Sequence, residues 1–397
     1  MRGPMMNVEQ LRAATPGCAE RIHLNNAGAA LVSAGVLQTQ VEHLELEARI
    51  GGYEAASEAA DRVAAAYTSV AGVIGARAHQ IAMVDNATTA WNLAFLSIEL
   101  EPGDKILTSE AEYAANYVAY LNAQRRFGAE IGVVPSDAAG QLDVTALDDL
   151  IDDRTKLISI THIPTNGGLI NPAEEVGAVA QAHGVTYLLD ACQSVGQLEL
   201  DVDALGCDFL SATGRKYLRG PRGTGFLYAS DKALQNVQPA VLDHHGGPWT
   251  EDVNKYVLRP DARRFENWEF GYAGLLGLGT AADEALALGL DAIEERVVEL
   301  GRSLRSKLAA ADFETYDIGD RQCGIVTTLV PNVDSFLAKQ RLTKLGINAS
   351  VSMPESTRID ALRRALPDLL RFSVHYYNTD DELDAAVSGL TEIRTTA

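Results

Sequence analysis

Cysteine is scarce and scattered. Only Cys18, Cys192, Cys207 and Cys323 occur, with no CxxC pair and no Cys/His cluster at metal-ligand spacing. A structural zinc site and a disulfide framework are thereby excluded as the basis of the fold, and no metal is expected. Basic charge is short as well. Lys and Arg total 33 against 54 Asp and Glu, a formal net charge of −21, so most of the surface repels a nucleic-acid backbone or an anionic membrane. Neither is an expected partner. A local basic pocket for one small anion survives this argument, and Arg215 with Lys216 is the candidate. No run of about 18 uninterrupted apolar residues is available to cross a bilayer, and residues 1–20 carry charges in place of a signal-peptide core. The expected location is the cytoplasm. There is no Walker or GxGxxG fingerprint, no internal repeat and no low-complexity linker.

What is present is apolar material. Of the 397 residues 47% are hydrophobic, enough for one large globular unit plus a smaller lobe. From about Tyr67 to Tyr228 short apolar runs alternate with amphipathic stretches, the rhythm of βα units around a mainly parallel sheet. Seven strands are expected, at 80–84, 105–108, 131–134, 156–161, 185–190, 209–212 and 225–228. Beyond Tyr272 the pattern becomes one long Ala/Leu/Glu helix to about Leu308. A strand at 324–330, a helix at 333–345 and a strand at 370–376 follow, and Thr379-Asp-Asp-Glu382 has the spacing of a capping box. The expected fold is α/β, with a large domain at 22–275 and a smaller α+β domain formed by 1–21 and 276–397.

In open α/β sheets ligands gather beyond the carboxyl ends of the strands, so the polar residues there carry the functional reading. Asp190 ends an apolar run, where a buried carboxylate needs a cationic partner such as a pyridinium N–H. Lys216 follows the strand at 209–212 in Thr213-Gly-Arg-Lys; a lysine beside Arg215 and partly desolvated loses its proton near neutral pH, as imine exchange requires. Asn86-Ala-Thr-Thr precedes a helical pattern, placing Thr88 and Thr89 where free N–H groups and the helix dipole hold a phosphate. Thr213 and Arg215 add a hydroxyl and a charge from a second segment. Singly, each has a plain alternative: Asp190 a loop cap, Lys216 a solvated charge, Thr88 an N-cap. Together they are the parts a pyridoxal 5'-phosphate (PLP) site needs.

With these motifs the chain resembles the class V aminotransferase family of fold-type I PLP-dependent enzymes, which includes cysteine desulfurases, selenocysteine lyases and isopenicillin-epimerase-like proteins. The resemblance runs from His23-Leu-Asn-Asn-Ala-Gly28 to Arg371-Phe-Ser-Val-His-Tyr-Tyr-Asn-Thr379. It implies Lys216 as the Schiff-base lysine and base at the α-carbon, Asp190 on the pyridine nitrogen and Gln193 on the ring oxygen. It also implies Thr88, Thr89, Thr213 and Arg215 on the phosphate. Tyr113 stands where many relatives stack a histidine on the ring. Arg371 matches the arginine that forks onto a substrate carboxylate. Thr165 or Asn166 approaches the substrate, and Asn25 and Asn26 border it. A homodimer acting on a small amino acid is the implied assembly.

Three departures matter. The stretch 346–357, where desulfurases carry a nucleophilic cysteine, has none, which disfavours a persulfide route. Glu269 occupies the position of a threonine that reaches the partner's phosphate, leaving Trp268, Glu269 and Tyr272 either to shape a substrate pocket or to pack at an interface. Cys192 reads as a small buried packing residue. The expected activity is β-elimination from a cysteine-derived substrate, a C–S lyase, with transamination and epimerisation as alternatives. A non-catalytic PLP-binding protein is a further alternative, against which the intact Lys216, Asp190 and Arg371 set argues.

Overall fold

The computed structural model describes residues 6–396; residues 1–5 of the expected small domain, and residue 397, lie outside them. Twelve strands occur in chain order: β1 (Ile22–His23), β2 (Ile81–Val84), β3 (Lys105–Ser109), β4 (Glu130–Val134), β5 (Thr155–Thr161), β6 (Thr186–Asp190), β7 (Phe209–Thr213), β8 (Gly225–Ala229), β9 (Ile325–Thr328), β10 (Ile347–Asn348), β11 (Ser350–Ser352) and β12 (Leu369–Ser373). Strands β2 to β8 form one sheet in the order β2-β8-β7-β6-β5-β3-β4. Only β8 runs against its neighbours.

These strands read as unbroken apolar runs because both faces of the sheet are covered. Leu157, Leu188 and Phe209 point into one core, and Ile158, Leu189 and Leu210 into the other, as the two-residue period of a strand requires. The carboxyl ends of the parallel strands therefore share one edge, and the loops leaving that edge carry the polar residues singled out above.

The remaining strands are smaller in scale. β11, β12 and β9 pair antiparallel in that order, with Arg371 of β12 opposite Ser350 and Thr327. β1 pairs in parallel with β10, joining Ile22 to Ile347. The capping box forms as expected at the start of the helix Asp380–Thr395.

Two expectations fail. The single helix over 272–308 is two helices, Tyr272–Leu288 and Leu290–Ala310, bent by 82° at the break. Gly289, at φ +87, ends one and begins the other, a conformation that L side chains avoid. The strand expected over 370–376 stops at Ser373, because His375 and Asn378 close a turn: the Asn378 N–H donates to His375 O, and the His375 N–H to Asn378 Oδ1. Among the described residues no single helix is long and apolar enough to cross a membrane.

Candidate active site

Beyond the carboxyl ends of β2, β6 and β7 lies a cleft of about 330 Å3, lined by Asn86, Thr88, Tyr113, Cys192, Thr213, Arg215 and Lys216 among others. Its volume is in the range of small-molecule cofactor sites. A narrow extension shares Tyr113, Cys192 and Lys216 and is closed by Thr161, Thr165, Asp190 and Gln193.

Lys216 is positioned by backbone contact. The turn after Asp190 packs on the Lys216 loop so tightly that a Cβ at Gly196, itself at φ +81, would lie 2.5 Å from Tyr217 C and Leu218 N. Among the described residues Lys216 Nζ has no hydrogen-bond or ion-pair partner. Burial depresses its basicity; Cys192 and Asp190 oppose that shift, and the positive charges of Arg215 and Arg371 add to it. The amine is thus biased towards its neutral, nucleophilic form.

Asp190 ends β6 and is 5% exposed. Its Oδ1 accepts the Cys192 N–H at 2.9 Å, and its Oδ2 the Asn116 amide at 3.0 Å. Gln193 lies beside it, donating through Nε2 to Ala27 O at 3.2 Å, while its Oε1 is buried without a partner. Tyr113, at the start of the helix Ala114–Phe127, lines both parts of the cleft.

The opposite end suits an anion. Asn86 caps the helix Ala87–Leu96 by accepting the Thr89 N–H at 2.9 Å, and the first-turn N–H groups of Ala87 and Thr88 have no intrahelical acceptor. Thr88 lines the cleft; Thr89 does not, since its N–H and hydroxyl both turn to Asn86. Arg215 donates to Thr213 Oγ1 at 3.2 Å. Arg222 also lines this end, as does Asp85, and neither was singled out in the sequence.

Arg371 is not among the residues lining the cleft; it is buried behind Thr165, with Nη1 donating to the backbone and side-chain oxygens of that residue. Its Nε is buried and unpartnered. Asn166 sends its amide to Met353 O and Thr357 Oγ1 and leaves Oδ1 buried without a donor. Asn25 is partly exposed, bridging in register to Ser373. Asn26 does not border the cleft: it is fully buried, its amide donating to Ser373 O at 2.7 Å and its oxygen accepting from Tyr377. Its polar atoms are spent on pinning the amino-terminal segment to β12.

One further correction follows, and one observation bears on an open alternative. Cys192 is not a sealed packing residue but lines both parts of the cleft; burial, and next Asp190, push its thiol well above the usual range. Trp268, Glu269 and Tyr272 line a separate cavity of about 700 Å3, with Tyr53, Tyr67 and His245, that shares no residue with the Lys216 cleft. Though larger, it brings together no lysine and orphaned acceptor. The cleft fits PLP on its own chemistry: an unpaired amine, a buried carboxylate, the Gln193 amide and an arginine sharing the cleft with a helix start.

Residues 22–386 match the family model described as aminotransferase class V. A probable cysteine desulfurase of Methanothermobacter thermautotrophicus is 30% identical over 399 residues, covering 98% of both chains. A cysteine desulfurase of Yersinia pestis is 32% identical over 350 residues, covering 86% of this chain and 85% of that one. Among solved structures, a cysteine desulfurase from Thermococcus onnurineus superposes with a TM-score of 0.92 at 24% identity over the whole of both chains. A cystine C-S lyase does so with 0.86 at 21%, over 95% of this chain and 99% of that one. These structural likenesses carry the fold. From the family match and the sequence relatives, this chain belongs to the aminotransferase class V family.

Proposed function

We propose that this chain binds PLP at Lys216 and cleaves the C–S bond of a cysteine-derived amino acid by β-elimination. The observation that carries this reading is the cleft itself: among the described residues it holds an unpaired, weakly basic lysine, and the one cysteine lining it is held protonated.

Bound PLP supplies an electron sink for the α-carbon of the substrate. Asp190 would hold a proton on the pyridine nitrogen, and Gln193 would donate the second hydrogen of its Nε2 to the ring oxygen. Thr88, Thr213 and Arg215 hold the phosphate, with the Ala87 and Thr88 N–H groups. Tyr113 covers the ring. Arg371 binds the substrate carboxylate beside Thr165, and Lys216 Nζ takes the α-proton. Thr89 and Asn26 act behind this set through Asn86 and β12. A homodimer in the cytoplasm, built from lobes at 22–275 and at 1–21 with 276–397, belongs to the same proposal; four free thiols suit a reducing compartment.

The names of the sequence relatives favour a second reading, sulfur transfer to a protein thiol. Against it, Cys192 is poorly ionised, and no cysteine lies in 346–357. Product analysis separates the two. Incubated with cysteine, cystine and S-substituted cysteines, the protein is expected to release pyruvate and ammonia, and Cys192→Ser to do so at an undiminished rate per bound PLP. Alanine as the product, with a persulfide trapped on Cys192, would establish desulfuration instead.

A further inference from the structure

Glu112 is the one buried carboxylate near the cleft to which no role has been given. It is 3% exposed, in the turn between β3 and the helix Ala114–Phe127. The hydroxyls of Thr108 (2.9 Å) and Thr161, the Asn116 amide (2.9 Å), the Tyr113 N–H (2.7 Å) and the Tyr120 hydroxyl (3.5 Å) all donate to it. None of these donors is a cation. The ionisable groups that face it are Asp190 at the end of β6, the Tyr120 phenol on its own helix and the Tyr187 phenol within β6. Burial is the main cause that pushes its carboxyl up to about 7; the Thr161 and Asn116 hydrogen bonds oppose the shift and Asp190 adds to it.

Asn116 links this group to the cleft. Its amide nitrogen donates to Glu112 Oε1 at 2.9 Å and to Asp190 Oδ2 at 3.0 Å. The reversed orientation would set its oxygen against two carboxylates, so both acids lock the amide in place. A neutral residue of the same shape could satisfy every donor around Glu112, because the Thr108 and Tyr120 hydroxyls also accept. What it could not supply is a negative charge directly behind Asp190.

We propose that Glu112 is a positioning residue for the cofactor, acting through Asn116 to hold Asp190 oriented against the pyridine nitrogen and to favour the proton held between the two. The inference rests on the PLP reading of the cleft. Ionised Glu112 raises the proton affinity of the Asp190 and pyridine pair; protonated Glu112 does not.

The test uses Glu112→Gln, which keeps the shape and removes the charge, and Asn116→Ala, which breaks the bridge and leaves Glu112 in place. PLP dissociation constants are measured for both and for the parent from about pH 5.5 to about pH 8.5, spanning the Glu112 titration. At the acid end the parent and Glu112→Gln should bind PLP alike. At the alkaline end the variant should bind about tenfold more weakly. Asn116→Ala should lose the same pH-dependent component, and it carries the readout should Glu112→Gln fail to fold. Melting of the apo protein gives a check free of cofactor. A folded-state value raised above the unfolded one means that stability is fully present below about pH 4.5 and is lost as pH rises towards 7. The parent should therefore lose melting temperature over that window relative to Glu112→Gln. An affinity ratio that does not change with pH, or equal affinities at the alkaline end, would overturn the proposal. A parent that binds no PLP at all would overturn the cofactor reading and this inference with it.

Discussion

Arg371 has one edge of its guanidinium committed and the other open. Nη1 is taken twice by Thr165, whereas among the described residues neither Nε nor Nη2 has a partner. The Nε and Nη2 edge is a planar fork matched to a carboxylate. Arg371→Lys should weaken amino-acid binding by roughly ten- to a hundredfold and leave PLP affinity unchanged, which spectral titration reads directly. Lys216 yields a second test. Borohydride treatment of the PLP-loaded protein should label the peptide containing Lys216, and Lys216→Ala should abolish both label and turnover; a labelled peptide elsewhere would displace this lysine from the site. Which residues were legible beforehand follows a physical division. Asp190 ends β6, where direction is set by the pleat, and Arg215 and Lys216 follow β7 within three residues in a tight turn. Thr89 and Asn26 lie one residue along from groups that do reach the cleft or its border, and only tertiary packing decides which of two neighbours turns inward. No role could be read for Glu112, in the polar stretch after β3, for another reason: its connection to Asp190 runs through the Asn116 amide.

Elements were read more reliably than side-chain directions. Each strand of the large sheet lies within one residue of its expected bounds, because a strand buried on both faces is an apolar run with sharp ends. The helix break was missed because Gly289 interrupts a run of Ala and Leu without altering its composition, and a 3.6-residue period carries no record of direction across a glycine. One close contact between elements lies next to the chemistry. Gly196 holds the turn after β6 against the loop after β7, so the spacing of Asp190 and Lys216 depends on a missing side chain. Gly196→Ala should cost about 3 kcal/mol of stability through overpacking and positive φ. Because the displaced backbone is that of Tyr217 and Leu218, PLP affinity should fall as well. A variant that melts early yet binds PLP normally would show that the loop shifts as a body without moving Lys216.

At the scale of the whole molecule, the helix Ala34–Ile50 leaves an apolar face without a cover. Leu37, Val41 and Leu44 recur along the helix Ala34–Ile50 at 50%, 37% and 54% exposure, with Tyr53 and Trp268 exposed nearby in sequence or cavity lining. An apolar stripe of that spacing fits a second copy of the chain, as the homodimer reading requires. Light scattering should return about twice 42.5 kDa, and Leu44→Glu should lower it towards the single chain. A parent mass of one chain would remove the dimer from the proposal. The pairing of β1 with β10 bears on how the molecule comes into being. His23 and Asn348, whose side chains meet at 3.0 Å, are 325 residues apart in the chain. At about 5–20 residues per second, a ribosome takes roughly 15 s to a minute to cover that distance. For that interval the newborn amino-terminal segment has no strand to join, and within it the seven-stranded sheet gains its last member, β8, well before β10 is made. Assembly during synthesis is therefore ordered, with the lysine loop formed before the arginine that faces it has been made.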